Sequence, residues 1–166
     1  MNTFSIIVAV GENNEIGKDG DLLWHLHGDM VYFKNTTKNH PVLMGRKTWD
    51  SLQVRPLPKR QNIVITTDKN FEKEKVRVLH SLKEIDALEE FENEVFVIGG
   101  GTIYKELLPL CDKLYLTKVH SSFPDADTYF PDINADDWQT VYQSEMKKDD
   151  ESNLEYQFII LSRLRR

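Results

Sequence analysis

Short apolar runs recur along the chain and alternate with stretches of helical periodicity. The apolar runs cover residues 4–10, 41–44, 62–66, 76–79, 95–98, 114–119 and 154–161. Each is nearly continuous, which is typical of strands buried on both faces of a sheet. Helical patterns lie between several of them, at residues 29–38, 47–53 and 102–108, and after a capping box at Ser81 whose apolar stripe reaches Phe91. Strands that alternate with short helices predict an α/β fold with a mostly parallel sheet.

The C-terminal part of the chain has a different pattern. Two runs, 138–144 and 154–161, are separated only by a polar loop that contains the charged segment 147–153. This arrangement predicts an antiparallel hairpin at one edge of the sheet, with the charged segment in solvent. We therefore expect a single three-layer α/β domain over residues 1–166, with a mixed, mostly parallel sheet and an antiparallel C-terminal edge strand.

Length and composition exclude several classes of protein. The chain has 166 residues, of which 40% are hydrophobic and 29% charged, as expected for one globular domain. Its net charge of −6 disfavours nucleic acid as a partner. The longest apolar run, residues 6–10, is too short to span a bilayer, and no signal peptide is recognisable at the start. Because Cys111 is the only cysteine, an intrachain disulfide is excluded, as is usual for a protein of the cytoplasm. We expect a cytoplasmic protein, and we expect it to be a monomer. His25 and His27 have no third ligand at metal spacing, and no metal site is predicted.

One buried run ends in three consecutive glycines. The residues at 95–98 are followed by Gly99, Gly100 and Gly101 and then by a predicted helix. Glycines let a ligand approach the backbone closely, and free N–H groups at a helix start attract phosphate. Tyr104 stands where the dinucleotide fingerprint of the Rossmann fold has its third glycine. Taken alone, the run fits a tight strand-to-helix turn and a phosphate site equally well.

Two basic segments are further candidates for ligand binding. Gly45 ends a predicted strand, and Arg46 and Lys47 begin the following helix. Cations at that end oppose the helix dipole, so a bound anion explains them better than a solvated basic turn does. The proline-stiffened loop from Arg55 to Arg60 is suited to holding a ligand carboxylate, although a solvated loop explains it as well.

Asp29 is a candidate for acid–base chemistry. It opens a predicted helix, with Leu26, Met30 and Phe33 close to it in sequence. A carboxylate in apolar surroundings needs a donor-rich partner or a proton. An acid in the first turn of a helix is also favoured by the helix dipole, and without further context this is the simpler interpretation.

Together these segments resemble the dihydrofolate reductase family, in order and over nearly the whole chain. The matching pieces are Ile16-Gly17, Leu22-Leu23-Trp24, Asp29 with Phe33-Lys34, the 44–49 segment, the 55–60 loop, the 98–101 run with Tyr104, Leu116-Thr117 and the 127–131 segment. Each piece is short, but their joint order and spacing are highly specific. The resemblance implies an eight-stranded, mostly parallel sheet with four flanking helices. The activity that it implies is the NADPH-dependent reduction of dihydrofolate to tetrahydrofolate.

The resemblance also implies roles on the substrate side. Asp29 is expected to bind the 2-amino group and ring N–H of the pterin and, through water, to support protonation of N5. Thr117 is expected to hold Asp29, and Arg60 to grip the glutamate α-carboxylate. The loop residues Leu22 and Trp24 complete the catalytic set. The residues expected to contact the substrate are Ile7, Val8, Ala9, Met30, Phe33, Lys34, Leu52, Arg55, Leu57, Arg60, Ile98 and Tyr104.

A second set of residues is implied for the cofactor, NADPH. Arg46 and Thr67 are expected to receive its 2′-phosphate. Lys47, Thr48 and the helix start at 99–103 are expected to hold the pyrophosphate. The full cofactor set is Ala9, Ile16, Gly17, Gly45, Arg46, Lys47, Thr48, Thr66, Thr67, Gly99, Gly100, Gly101, Thr102, Ile103 and Tyr104.

The loop that carries Trp24 departs from the family pattern. In the family this loop closes over the nicotinamide, and Asp127 resembles the residue whose segment docks against it near Gly17. Here Leu23 and His27 stand where prolines are usual. With fewer fixed φ angles we expect a less pre-ordered loop and altered closure, with the chemistry retained.

Two other functions are compatible with the same residues. One is a reductase of the same fold that acts on another pterin or a pyrimidine intermediate, and the other is an inactive NADPH-binding protein. Asp29 together with Arg60 favours folate, because a carboxylate-bearing tail needs an arginine. The presence of Asp29, Trp24 and Thr117 argues against an inactive protein. An extra residue at 53–54 is expected to shift the mouth of the pocket.

Overall fold

The structure is a computed structural model that describes residues 2–164. Its strands are β1 Phe4–Val10, β2 Glu15–Gly17, β3 Val42–Gly45, β4 Asn62–Ile65, β5 Val76–Leu79, β6 Val95–Gly99, β7 Cys111–Val119, β8 Thr128–Tyr129, β9 Trp138–Gln143, β10 Lys147–Lys148 and β11 Glu155–Arg163. The α-helices are α1 His27–Thr37, α2 Arg46–Ser51 and α3 Gly101–Leu107. Two 3-10 segments, Leu82–Ala87 and Leu108–Leu110, complete the helical structure of the described residues.

The main sheet is mixed and mostly parallel, as predicted. Its order is β10-β11-β7-β1-β6-β3-β4-β5, and β9 also pairs with β11. The five pairings from β7 to β5 along this order are parallel, whereas β11 is antiparallel to β7. Of its nine strands, β10 has only two residues, which leaves the eight longer strands that were expected. The antiparallel C-terminal strand is confirmed, and β9 and β10 cover its outer side.

Helices cover both faces of this sheet. On one face, Phe33 from α1 and Trp49 from α2 pack in an apolar cluster with Ile7 of β1. On the other face, Leu107 from α3 packs in a larger cluster with Val8 of β1. Strands β3 and β4 between them are buried at every residue, which accounts for their continuous apolar sequence. No helix among residues 2–164 is long and apolar enough to cross a membrane.

The segment after Ser81 is shorter than its sequence pattern suggests. Its capping box forms, and the Glu84 carboxylate accepts a hydrogen bond from the Ser81 N–H at 3.3 Å. The helix expected there is nevertheless a 3-10 segment that ends at Ala87. Ile85 and Leu88 are both buried, and in a 3-10 helix side chains three residues apart lie on one face. The apolar stripe is therefore satisfied without an α-helix.

The expectation that the charged segment 147–153 lies in solvent is wrong at Asp149. This side chain is only 7% exposed. Its Oδ2 accepts hydrogen bonds from the N–H and the hydroxyl of Ser152 at 2.9 and 2.8 Å. Its Oδ1 lies 3.4 Å from the backbone nitrogen of His27, the first residue of α1. The loop thus contributes a carboxylate that is satisfied by backbone donors and contacts α1.

The parallel strands place several loops at one edge of the sheet. Strands β1, β6 and β3 are neighbours and run in the same direction, so the segments that follow them emerge together. In open α/β sheets, ligands bind outside the carboxyl ends of the strands, near the point where the strand order reverses. Here the chain places β6 on one side of β1 and β7 on the other. This edge is therefore the place to look for a site.

Candidate functional site

A hydrogen bond between α1 and β7 defines the centre of the site. Asp29 lies in the first turn of α1 and is half-buried, while Thr117 of β7 is 2% exposed. Thr117 pairs with Ala9 of β1 in the parallel register. Its Oγ1 donates a hydrogen bond to Asp29 Oδ1 at 2.5 Å. The contact expected between these two residues is present.

Asp29 has few partners for a carboxylate in such a position. Burial raises its pKa above the ordinary value, and the hydrogen bond from Thr117 offsets only part of this effect. No ion pair to Asp29 is present among residues 2–164. A desolvated carboxylate with spare acceptor capacity favours a ligand that offers N–H donors, or a proton. The helix dipole alone does not explain a carboxylate in this environment.

The start of α1 is held by residues from the C-terminal part of the chain. Asp149 Oδ1 accepts the His27 N–H, a donor that the proline usual at this position would lack. The next residue is Gly28, and a Cβ there would overlap the hydroxyl of the buried Tyr156. The replacement of proline by His27 therefore removes one constraint on the backbone and adds a hydrogen bond. The effect on loop closure stays a prediction.

Five of the residues expected to contact substrate belong to one apolar cluster, which we call the apolar wall. They are Ile7, Phe33, Leu52, Leu57 and Ile98. Tyr104 is joined to the wall through its hydroxyl, which donates a hydrogen bond to the carbonyl of Ile7 at 2.9 Å. Burial raises the pKa of Tyr104, so it remains a neutral donor. Val8 belongs instead to the cluster on the opposite face of β1, and Ala9 packs against the cluster around Trp24.

The loop before α1 combines exposed and buried side chains. Leu22 and, at the start of α1, Met30 are each 62% exposed, so neither packs against the wall. Trp24 is only 6% exposed and its ring lies 4.9 Å from that of Phe123. The predicted docking contact is confirmed, because Asp127 donates its N–H to the Gly17 carbonyl at 3.0 Å. Its Oδ2 also accepts the N–H of the loop residue at position 19, at 2.9 Å.

Arg60 is the only buried side-chain donor among the described residues that has no hydrogen-bond partner. Its Nε is buried without an acceptor, and burial lowers its pKa. A guanidinium in this state favours a carboxylate ligand. The other cations expected near substrate, Lys34 and Arg55, are exposed, and Arg55 lies 3.8 Å from an oxygen of Asp50.

Two strand-to-helix turns lie side by side, after β3 and after β6. A Cβ at Gly45 would lie 2.9 Å from Cγ1 of Ile103, so the turn requires glycine. Gly99 has a φ of 132°, which also favours glycine. A Cβ at Gly99 or Gly100 would lie 3.3 or 3.5 Å from Oγ1 of Thr48. The glycines therefore let Ile103 and Thr48 pack directly against the backbone, and we call this pair of adjacent helix starts the cradle.

Arg46 has partners that the sequence argument did not foresee. It forms ion pairs with Asp50 at 3.2 Å and with Asp68 at 3.1 Å. These ion pairs give Arg46 a structural role, which the opposition to the helix dipole made look weak from the sequence. Asp68 in turn donates its N–H to Thr66 Oγ1 at 3.2 Å, which brings the 66–68 segment next to Arg46. Lys47, Thr67 and Thr102 are exposed.

Comparison with known proteins decides the family. The sequence matches the family profile described as dihydrofolate reductase over residues 3–163. The chain belongs to the dihydrofolate reductase family. It is 43% identical over 161 residues to the dihydrofolate reductase of Staphylococcus haemolyticus, covering 97% of this chain and 96% of the relative. It is 41% identical over 156 residues to the enzyme of Bacillus subtilis, covering 94% of this chain and 92% of the relative.

A solved structure of the same family agrees with the fold. It is a dihydrofolate reductase from Enterococcus faecalis complexed with NADP(H) and RAB-propyl, with a TM-score of 0.86 and 37% sequence identity. The match covers 98% of this chain and 97% of that chain. This member of the dihydrofolate reductase family is accordingly an NADPH-dependent oxidoreductase that reduces dihydrofolate.

Sequence reasoning missed two buried carboxylates of this dihydrofolate reductase. The sequence pattern predicts a solvated loop around Asp149 and gives no role to Glu15, which is 2% exposed in β2. A signal for Asp149 was available, because an aspartate in a polar turn commonly accepts hydrogen bonds from the backbone that follows it. No local pattern indicated that Glu15 is buried.

We predict that Asp29→Asn stabilises the fold at neutral pH. Because the folded pKa of Asp29 lies above that of the unfolded chain, stability is lost as pH rises through this window, and asparagine removes the loss. Urea unfolding at pH 7 is expected to give a gain of about 1 kcal/mol, shrinking toward pH 4. The exposed Asp150→Asn is the control and should change little. A less stable Asp29→Asn at pH 7 would contradict the analysis.

Proposed function

We propose that Asp29 binds the pterin ring of dihydrofolate at this edge of the sheet. The observation that carries the proposal is a half-buried carboxylate whose pKa is raised by burial and whose one hydrogen bond among residues 2–164 comes from Thr117. The 2-amino group and ring N–H of a pterin are adjacent donors, which suit the two oxygens of a carboxylate. Thr117 fixes one oxygen and so orients the other toward the ligand.

The same carboxylate supports proton delivery to N5 of the pterin, through water. Burial raises the pKa of Asp29 toward the pH at which the enzyme works, and an acid–base group is most effective when the two are close. When bound, NADPH supplies the hydride that is transferred to the carbon next to N5. The apolar wall excludes bulk water from one side of the ring, which strengthens the interaction with Asp29. Val8, Ala9 and Met30 stay predicted contacts.

Arg60 binds the α-carboxylate of the glutamate tail. Its Nε is the buried donor without an acceptor, and a carboxylate would complete its hydrogen bonding with a charge-assisted bond. Lys34 is exposed and contributes longer-range attraction to an anionic tail, whereas the charge of the exposed Arg55 is offset by Asp50 at 3.8 Å. The extra residue at 53–54 lies in the exposed stretch just before Arg55.

NADPH fits the cradle formed by the two strand-to-helix turns. Gly45 and Gly99 bring the two helix starts together, since a Cβ at Gly45 would lie 3.9 Å from the backbone nitrogen of Gly100. We place the pyrophosphate against this cradle, held by Lys47, Thr48 and the backbone at 99–103. Ile16 and Tyr104 border the same region, since a Cβ at Gly101 would lie 3.9 Å from Cδ1 of Ile16 and one at Gly99 would lie 3.3 Å from Oη of Tyr104. Gly17 follows Ile16 in β2. Arg46, with Thr66 and Thr67, is the site for the 2′-phosphate.

We propose that the chain acts as a single-domain monomer with dihydrofolate as its partner and without nucleic acid. The net charge of −6 supports the latter. The exposed Leu22 and buried Trp24 belong to the loop that we expect to close during turnover. A cytoplasmic location stays a prediction.

We expect Asp29→Asn to lose turnover of dihydrofolate. Removal of the carboxylate should lower kcat by about 10²- to 10⁴-fold at neutral pH. Part of the loss should be recovered at low pH, where solvent protonates the substrate. NADPH oxidation measured across pH tests this, with Asp150→Asn as the matched exposed control. An active Asp29→Asn refutes the role of Asp29.

The parent protein in the same assay separates the alternatives. Turnover of another pterin or a pyrimidine in place of dihydrofolate would identify a different reductase. Tight NADPH binding without turnover of any of these substrates would identify a binding protein.

The role of Arg60 is tested with a shortened substrate. Arg60→Gln should raise the KM for dihydrofolate roughly tenfold to a hundredfold, because a charge-assisted hydrogen bond is lost. The KM for a dihydropterin that lacks the glutamate tail should stay unchanged. Lys59→Gln, an exposed neighbour, serves as the control. Equal effects on both substrates would place Arg60 away from the tail.

The role of Arg46 is tested with two cofactors. Arg46→Gln should raise the KM for NADPH about tenfold and leave the KM for NADH unchanged, because only NADPH carries the 2′-phosphate. Asp68→Asn should have the opposite effect, since it removes a carboxylate that competes for the guanidinium. If Arg46→Gln weakens both cofactors equally, the 2′-phosphate is bound elsewhere.

A further inference from the structure

Glu15 is a buried charge outside the site described above. Its Oε1 accepts a hydrogen bond from the Asn13 N–H at 2.6 Å, and its Oε2 accepts one from the Phe123 N–H at 2.6 Å. Burial pushes the pKa of Glu15 up, but the backbone hydrogen bonds outweigh it and Lys118 adds to them, so the pKa lies below its ordinary value. Glu15 is therefore an ionised side chain that ties two separate loops together.

A glycine makes room for this carboxylate. A Cβ at Gly11 would lie 2.6 Å from Oε1 of Glu15 and 3.1 Å from Cδ2 of Phe123. Gly11 also accepts the N–H of Asn14 at 3.1 Å, so the turn is closed tightly around Glu15. Any larger residue at position 11 would displace the carboxylate or the phenyl ring. Gly11 and Glu15 thus form one steric unit.

The loop held by Glu15 reaches the site through an aromatic contact. Phe123 has its backbone N–H on Glu15 and its ring 4.9 Å from Trp24, at an interplanar angle of 49°. Trp24 is the buried member of the loop next to α1 and packs in the cluster that includes Ala9 and Leu26. Ala9 is paired with Thr117, the partner of Asp29. A short chain of contacts therefore connects Glu15 with the candidate site.

We propose that Glu15 is a positioning residue that fixes Phe123 and, through its ring, the indole of Trp24. This rests on the proposed function only in the role that it gives to Trp24. Without the carboxylate, two backbone donors lose their acceptor and the loop at 121–127 gains freedom. The Trp24 ring then samples more than one position, and productive closure of its loop becomes rarer.

The experiment follows Trp24 directly in Glu15→Gln. Glutamine has the same size, but its amide group presents an NH₂ to one of the two N–H donors. The protein is labelled with 5-fluorotryptophan, and the resonances of its three tryptophans are assigned with Trp24→Phe. In Glu15→Gln the Trp24 resonance should shift or broaden while those of Trp49 and Trp138 stay unchanged. In parallel, kcat/KM should fall roughly threefold to tenfold.

Glu12→Gln is the matched control, because Glu12 is an exposed carboxylate of the same loop that contacts Ser122 Oγ at 3.5 Å. It should leave both the Trp24 resonance and kcat/KM as they are. An unmoved Trp24 resonance in Glu15→Gln overturns the proposal, and so do equal changes in all three tryptophans, which indicate general loosening.

Amide exchange in the parent protein tests the first link even if Glu15→Gln does not fold. The Phe123 amide should exchange more slowly than that of the neighbouring Ser122, and equal rates overturn the proposal. Both spectroscopic readouts are made without substrate. They therefore test the role of Glu15 even if dihydrofolate is not turned over. Asp29→Asn should lower turnover at neutral pH and leave the Trp24 resonance unchanged.

Discussion

Parallel pairing of β7, β1, β6 and β3 is the constraint on which the rest of the structure depends. The register that pairs Ala9 with Thr117 presents a hydroxyl group to the first turn of α1. The register that pairs Met44 with Gly99 places two strand-to-helix turns side by side. A slip of one residue in the pairing of β7 with β1 would turn the Thr117 side chain to the opposite face of the sheet. A slip in the pairing of β3 with β6 would move the two turns apart. The geometry of the candidate site therefore depends first on strand register, which decides where the individual side chains point.

The groups gathered at this edge are poorly satisfied by the chain itself. Among the described residues, Asp29 has one hydrogen bond and no ion pair, and the Nε of Arg60 has no acceptor. Elsewhere, the buried Asp149 and Glu15 are each surrounded by backbone donors. The contrast separates carboxylates that hold the fold together from groups that await a ligand. Asp29 and Arg60 therefore contribute less to the stability of the fold than they would if the chain itself supplied their hydrogen-bond partners.

The sequence predicted the parts of the structure that depend on local pattern. The strands at 4–10 and 76–79 have the bounds that the apolar runs indicate, and the family motifs placed Thr117 on Asp29 and Asp127 on Gly17. The 3-10 geometry after Ser81 could not be predicted, because the spacing of Ile85 and Leu88 suits either an α-helix or a 3-10 helix. Hydrogen bonds of buried carboxylates with residues distant in sequence could not be predicted either. Asp149 meets His27 across 122 positions, and Glu15 meets Phe123 across 108.

The positive charge of Arg46 is offset by the carboxylates around it. The ion pairs that join Arg46 and Arg55 to Asp50 and Asp68 contain two positive and two negative charges, so at long range they cancel. A phosphorylated ligand that approaches from solvent feels little pull from this network until it is within contact distance. Its rate of association should then depend weakly on ionic strength, and recognition of the phosphate should appear mainly as slow dissociation.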